Sequence, residues 1–168
     1  MPIDFQNETD VDLVRAYGDL LREMKARKII RSGNLVGDLG EYLAMDCYNK
    51  TPGLVNLGPA PIGCKSFDAI GGKNGKRYSI KSTSGAVTGS FFGLLPPTAL
   101  DQDDPIFDFL VIVQFDSDYS LKRIIELTWS QFIQYKKWLP GQNAFNVSVS
   151  QKLIAAATTI YPTVKSTL

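Results

Sequence analysis

Apolar residues recur every three or four positions over residues 10–31, and this spacing predicts an amphipathic helix. The residues on its shared face are Leu13, Tyr17, Leu20, Leu21 and Met24. Thr9 or Asp10 can cap the helix, and four basic residues near its end suit the helix dipole. The polar segment 32–34 (SGN) then interrupts the pattern, and a second helix is predicted over 35–48.

The middle of the chain alternates short apolar runs with turn-forming residues, which predicts strands. The predicted strands are 54–57, 67–70, 77–82, 107–115 and 121–127. The segment 71–76 (GGKNGK) favours a hairpin connection, because glycine and asparagine tolerate positive φ. The run 107–115 is almost continuously apolar, as in a strand buried on both faces.

Thr128 and Gln131 form a predicted capping box at the start of a helix that ends near Trp138. A short strand near 145–149 and a helix over about 151–160 complete the pattern. This order of elements predicts an α/β (α+β) fold with a mixed central sheet flanked by helices. We expect one domain over 1–168, with an N-terminal helix (10–31), a core (34–127) and C-terminal helices and strand (128–168).

The composition narrows the chemistry, because none of the 168 residues is histidine. Nucleophile–histidine pairs and histidine-ligated zinc are therefore excluded. Two cysteines are too few for a structural zinc site. Any catalysis must use carboxylates, lysine, hydroxyls or a hard metal ion bound through oxygen.

The net charge of +1 is a sum over a chain that contains one basic segment and one acidic segment. Residues 61–90 carry five bases and one acid, whereas residues 101–120 carry six aspartates and no base. The N-terminus does not resemble a signal peptide, and no stretch approaches the ~20 apolar residues of a membrane span. We therefore expect a soluble cytoplasmic protein with reduced thiols and no membrane partner.

Strand periodicity places candidate catalytic residues on one surface of the predicted hairpin. Ser79 and Lys81 share a strand face with Arg77, since alternate side chains point the same way. Asp68 lies on the preceding strand among apolar neighbours, where a carboxylate is costly unless it is paired or binds a cation. Asp68 and Lys81 are expected to face a shared site, either as a structural ion pair or as catalytic groups.

Asp68 followed by Ser79-Ile80-Lys81 resembles the PD-(D/E)xK nuclease superfamily, the fold of many restriction endonucleases. Glu41, in the segment GDLGEYLAMD, matches the glutamate that many members carry on the helix before the sheet. The resemblance implies a restriction endonuclease-like core and a Mg²⁺-dependent (or Mn²⁺-dependent) DNA endonuclease that acts as a homodimer. It implies catalytic roles for Glu41, Asp68, Ser79 and Lys81, with Asp68 and Glu41 as metal ligands.

Two features depart from that family pattern. Ser79 stands where the family has an acid, and a hydroxyl binds Mg²⁺ weakly. Residues 83–106 are rich in Gly, Pro and Asp and do not predict the helix that the family places there. An impaired relative that binds DNA or a protein is therefore one alternative. Another is an immunity- or antitoxin-like protein that binds its partner through the acidic stretch 101–118.

The hairpin and the loop after it carry a predicted DNA-backbone surface. Its members are Lys73, Lys76, Arg77, Ser82, Thr83 and Ser84. Cationic groups and hydroxyls contact phosphates without reading bases. The competing interpretation is an ordinary polar loop. For Glu41 the competing interpretation is a solvent-facing residue, although Gly37, Gly40 and Ala44 beside it permit close approach of another backbone.

Overall fold

A computed structural model describes residues 4–162 and resolves four helices and eight strands within that range. The helices are α1 (Asp10–Ala26), α2 (Leu35–Lys50), α3 (Trp129–Tyr135) and α4 (Gln151–Ala156). The strands are β1 (Leu57–Pro59), β2 (Ala69–Gly71), β3 (Arg77–Thr83), β4 (Phe109–Phe115), β5 (Leu121–Thr128), β6 (Lys136–Leu139), β7 (Ala144–Val147) and β8 (Thr158–Tyr161).

Six strands form one mixed sheet in the order β1-β2-β3-β4-β5-β8. The β3–β4 pair is parallel and the other pairs are antiparallel, while β6 and β7 form a separate two-stranded sheet. The prediction of a mixed α+β fold with helices beside a central sheet is confirmed. Whether its core is restriction endonuclease-like stays a prediction.

Strand β4 is buried on both faces, as its apolar run predicted. Leu110 and Ile112 belong to the hydrophobic core on one side of the sheet, with Phe107 and Phe132. Val111 and Val113 belong to the core on the other side. Because successive side chains of a strand point to opposite faces, one continuous apolar run supplies two cores.

Helix α2 covers the second of these cores. Asn34 caps it by accepting a hydrogen bond from the backbone N–H of Gly37 (3.2 Å). Ala44 and Tyr48 on α2 are buried in the same cluster as Tyr78 and Ile80 of β3. The second predicted helix is therefore confirmed, and it lies directly against the strand that carries Ser79 and Lys81.

The connection from β3 to β4 contains no helix between residues 84 and 108. It crosses the first core instead, where Phe91, Leu94 and Phe107 are buried. Lys136 anchors it through a mostly buried ion pair with Asp103, with Nζ 2.6 Å from Oδ2. A parallel strand pair needs a long crossover. Here aromatic side chains and one ion pair hold that crossover in place.

Two predicted helices near the C-terminal end are too long. The first ends at Tyr135, where β6 begins, because Trp138 pairs across the β6–β7 hairpin with Phe145. The second ends at Ala156, and β8 begins at Thr158 and pairs with β5, burying Ile160. In both cases cross-strand pairing of apolar or β-branched side chains outweighs local helix propensity.

Helix α1 is also shorter than predicted, since it ends at Ala26 and Lys28 adopts a left-handed backbone conformation (φ 59°). None of its residues is buried, so its apolar face does not enter either core. The first predicted strand lies at Leu57–Pro59 rather than 54–57. No helix within residues 4–162 has the length and apolar character that crossing a membrane requires.

Asp108 joins the start of β3 to the start of β4. Its Oδ2 accepts hydrogen bonds from the backbone N–H (2.8 Å) and the Nε (3.0 Å) of Arg77, and Lys76 Nζ lies 3.4 Å from Oδ1. Burial alone would raise the pKa of Asp108, but these bonds and charges outweigh it and lower the pKa.

Asp108→Asn should lower the free energy of unfolding by about 1–3 kcal/mol at neutral pH, because it removes charge-assisted hydrogen bonds. A lowered pKa in the folded state stabilises the protein above the ordinary carboxyl pKa of 3.8 and stops doing so as the pH falls. The difference from the wild type should therefore shrink in urea unfolding near pH 3.

Asp116→Asn provides the control, since its ion pair with Lys122 is exposed and should contribute less than about 1 kcal/mol. Equal losses for the two variants, or a loss at Asp108 that does not change with pH, would contradict this role.

Candidate active site

Asp68 lies where the β2–β3 ladder ends. Its backbone N–H donates to the Tyr78 carbonyl (2.8 Å). Among the described residues, this is the last backbone hydrogen bond between the two segments on the side away from the hairpin turn. The next N–H of β3 on this edge, that of Ile80, donates instead to Asp68 Oδ2 (2.6 Å). The carboxylate thus replaces a missing backbone acceptor and is fixed beside β3.

Ser79 lies directly opposite Asp68 and on the same face of the sheet. The register pairs Ala69 with Tyr78, which places Asp68 across from Ser79. Ser79 is buried, and its Oγ lies 3.4 Å from Asp68 Oδ2, a long hydrogen bond. The structure therefore brings these two predicted site residues together.

Glu41 lies on α2, which packs on the sheet face of Tyr78 and Ile80. Its side chain is about one quarter exposed and forms an ion pair with the guanidinium of Arg31. Burial raises the pKa of Glu41, and the negative charge of Asp68 raises it further. Glu41 is not the fully solvated residue of the alternative interpretation.

Asp38 and Arg31 support Glu41, and neither was predicted as a site residue. The buried carboxylate of Asp38 accepts hydrogen bonds from the backbone N–H groups of Arg31 (2.7 Å) and Ser32 (2.5 Å). Burial opposes ionisation of Asp38, but these bonds outweigh it and lower its pKa. Asp38 thereby fixes the chain just before α2 and places Arg31 beside Glu41. The sequence signal for Asp38 was an acidic residue in the first turn of the predicted helix that follows the helix-breaking segment 32–34.

Lys81 lies on β3 two residues after Ser79, so their side chains share a face. Its ammonium lies 5.0 Å from the centre of the Phe91 ring, a cation–π distance. Within residues 4–162 no carboxylate lies within 4.0 Å of this ammonium. The structural ion pair with Asp68, which was the alternative interpretation, is not formed in this conformation.

Ser79 and Lys81 open onto a cleft of about 290 Å³. Its polar and aromatic lining includes Lys65, Ser66, Ser79, Lys81, Ser90 and Phe92. Phe92 is 64% exposed, whereas its neighbour Phe91 is buried. An exposed ring beside cations and hydroxyls is a suitable surface for a nucleotide. Phe92 was not predicted, and its only sequence signal is a Phe pair inside a polar loop.

The six residues of the predicted DNA-backbone surface have unlike surroundings. Lys73 and Ser84 are exposed, while Lys76 and Arg77 both contact Asp108 at the strand junction. Ser82 and Thr83 face the interior. The Ser82 hydroxyl is buried under α2 and finds no hydrogen-bond partner among residues 4–162. The Thr83 hydroxyl donates to the Val87 carbonyl (2.8 Å). Both hydroxyls are therefore directed into the fold.

The oxygen donors at the edge suit a hard cation. Within residues 4–162 no group of three acidic, cysteine or histidine side chains is arranged to hold a metal ion. Asp68 and Glu41 supply two carboxylates, and Ser79 adds a hydroxyl. Mg²⁺ in proteins commonly uses one or two carboxylates and completes its shell with waters and substrate phosphates. Two carboxylates and a hydroxyl are therefore ligands of the type that Mg²⁺ or Mn²⁺ takes.

The chain matches no protein-family model, and a search of curated proteins finds no relative. The nuclease interpretation accordingly depends on the residues and their geometry alone.

Helix α2 can hold Glu41 at this edge because Gly40 lets it approach β3 closely. A Cβ at residue 40 would lie 2.7 Å from Ser82 Cβ and nearer still to its hydroxyl. Gly40→Ala should therefore destabilise the protein by about 1–3 kcal/mol through overpacking, measured by urea unfolding. Adding Ser82→Gly should recover part of that loss, because it removes the atoms that clash.

Gly18→Ala is the matched control on α1, where the added Cβ meets only Arg22 Nη1 at 3.7 Å. It should raise stability by about 0.5–1 kcal/mol, as alanine does in an exposed helix. A neutral or stabilising Gly40→Ala would contradict the close packing of α2 on β3.

Proposed function

We propose that the protein is a Mg²⁺-dependent (or Mn²⁺-dependent) DNA endonuclease of restriction type. The observation that carries the proposal is the contact of Asp68 with Ser79 at the open β2–β3 edge, with Lys81 on the same strand face as Ser79 and with the charge of Asp68 acting on Glu41. Two acids and a lysine are the components of phosphodiester hydrolysis that needs no histidine.

Asp68 and Glu41 would hold the metal ion, which when bound lowers the pKa of water and stabilises charge on the phosphate. Asp68 Oδ2 is occupied by the Ile80 N–H, so its orientation is fixed before any ligand arrives. Arg31 neutralises Glu41 in the absence of metal. The guanidinium, about half exposed, is then free to turn to a substrate phosphate when Glu41 binds the cation.

Lys81 would orient the attacking water and stabilise charge on the phosphate. Its ammonium contacts Phe91 at the cleft that Ser79 also lines. The rest of the cleft offers Lys65 and serine hydroxyls to phosphate oxygens and the exposed Phe92 ring to a base. Lys73, exposed in the turn between β2 and β3, would add a further cationic group for the DNA backbone.

The impaired-relative alternative depends on Ser79. Its hydroxyl is a weaker ligand than the acid of the family pattern, so the chain would bind DNA without cutting it. The immunity-like alternative has less support, because the aspartates of 101–118 largely serve the fold. Intramolecular partners are present for Asp103, Asp108, Asp116 and Asp118.

Wild-type protein should cleave plasmid DNA in the presence of Mg²⁺ or Mn²⁺, and Asp68→Asn and Lys81→Ala should each reduce the rate at least 100-fold (about 2.7 kcal/mol). Asn at position 68 retains an oxygen that can accept from the Ile80 N–H, so this variant should keep the fold while losing the charge. Gel-based cleavage and thermal unfolding of the same samples separate the two effects.

Lys122→Ala is the matched control, since this lysine pairs with Asp116 on the surface and should leave cleavage unchanged. Cleavage that survives Asp68→Asn or Lys81→Ala would contradict the assignment. Salt-sensitive DNA binding without cleavage by the wild type would favour the impaired relative. No DNA binding at low salt would favour the immunity-like protein.

Ser79→Asp tests the position of the missing acid. A second carboxylate beside Asp68 should destabilise the metal-free protein through like-charge repulsion. Added Mg²⁺ should raise the melting temperature of this variant more than that of the wild type, because binding to the folded state alone stabilises it. Ser79→Ala should keep the smaller wild-type response. A response to Mg²⁺ no larger than the wild type's would place the metal elsewhere.

A further inference from the structure

Helix α1 presents an uncovered apolar stripe. Leu13, Tyr17 and Leu20 are 38%, 57% and 53% exposed, and no residue of the helix is buried. Phe5, also exposed, lies against the same face and lines a groove of about 680 Å³ with these three side chains. Apolar side chains scattered singly over a surface are ordinary, but a contiguous apolar groove marks an interaction site.

The charges of α1 indicate what covers the groove. Three ion pairs form within the helix and its end: Arg15–Asp12, Arg22–Asp19 and Arg27–Glu23. Within the described part of the chain, Asp10 in the first turn and Lys25 in the last turn are the helix charges without an ion-pair partner.

Asp10 and Lys25 also lie on one side of the stripe. At 100° per residue their directions differ by about 60°, and at 1.5 Å per residue they lie about 22 Å apart along the axis. A second α1 packed antiparallel across a two-fold axis near Tyr17 would place each Asp10 opposite the partner's Lys25. Antiparallel packing also brings the positive end of each helix dipole to the negative end of the other.

We propose that the apolar groove of α1 is a homodimer interface, occupied by α1 of a second copy in antiparallel orientation. The surface is self-complementary: Leu13 and Leu20 exchange places about Tyr17, and Asp10 and Lys25 exchange places at the ends. A two-fold interface requires this property of a single patch. The inference rests on the proposed function only in that two copies would allow both DNA strands to be cut.

Sedimentation equilibrium of the full chain tests this surface. Wild-type protein should sediment at twice the 18.5 kDa chain mass at micromolar concentrations. Leu20→Asp should sediment as a monomer, because it places a charge within the apolar stripe. Val11→Asp is the matched control: it makes the same chemical change at an exposed valine about 180° away on the helix and should remain dimeric. Circular dichroism should show unchanged helix content in both.

The charged pair gives a second test that a merely apolar association would not pass. Asp10→Lys and Lys25→Asp should each raise the dimer dissociation constant at least several-fold, because like charges then face each other. The double variant should return it towards the wild-type value. Charge swapping of this kind restores association only if the two residues meet across the interface.

A monomeric wild type, or a dimer that Leu20→Asp leaves intact, would overturn the proposal. Heterologous association into larger species would also contradict the two-fold arrangement. Failure here and failure of the nuclease assignment are distinguishable. A monomer that cleaves plasmid DNA contradicts only this interface, and a dimer without cleavage contradicts only the nuclease.

Discussion

The hydrogen bond from the Ile80 N–H to Asp68 Oδ2 is the contact on which the proposed site depends. A buried backbone donor needs an acceptor, and where β2 leaves the sheet the carboxylate supplies one. The edge of β3 is thereby left open without an unsatisfied donor. Asp68 is held rigidly at that opening, with Ser79 opposite it and the charge of Glu41 within reach. The same contact gives Asp68 a structural role besides its proposed catalytic one. Substitution by the isosteric asparagine therefore separates the two roles better than substitution by alanine.

Helix α2 completes the edge through its small residues. Gly40 lies against Ser82 and Ala44 is fully buried, so the helix axis approaches β3 closely. Asp38, one turn earlier, binds the backbone of Arg31 and Ser32 and so sets where the helix enters. Three residues of one helix thus have three tasks: Gly40 sets the distance to β3, Asp38 fixes the chain where it enters the helix, and Glu41 carries the charge.

Periodicity in the sequence was sufficient for α2, the strands β3 to β5 and the doubly buried β4, since apolar spacing reports local geometry directly. It failed for β6 and β8, because both lie in segments that were predicted as helix. Trp138 and Ile160 lie in strands that pair with other strands, and this pairing determines the local structure there. The pairing of Asp68 with Ser79 follows from hairpin register. The Arg31–Glu41 ion pair and the burial of Ser82 could not be predicted, because both depend on how α2 docks on the sheet.

Electron paramagnetic resonance of Mn²⁺ titrated into wild-type protein, Asp68→Asn and Glu41→Gln would test the proposed metal site. We expect the wild type to bind Mn²⁺ at a single site. Asp68→Asn should abolish that binding and Glu41→Gln should weaken it, while all three proteins remain folded. Undiminished Mn²⁺ binding by folded Asp68→Asn, or no binding by the wild type, would contradict a metal-dependent site at the β2–β3 edge.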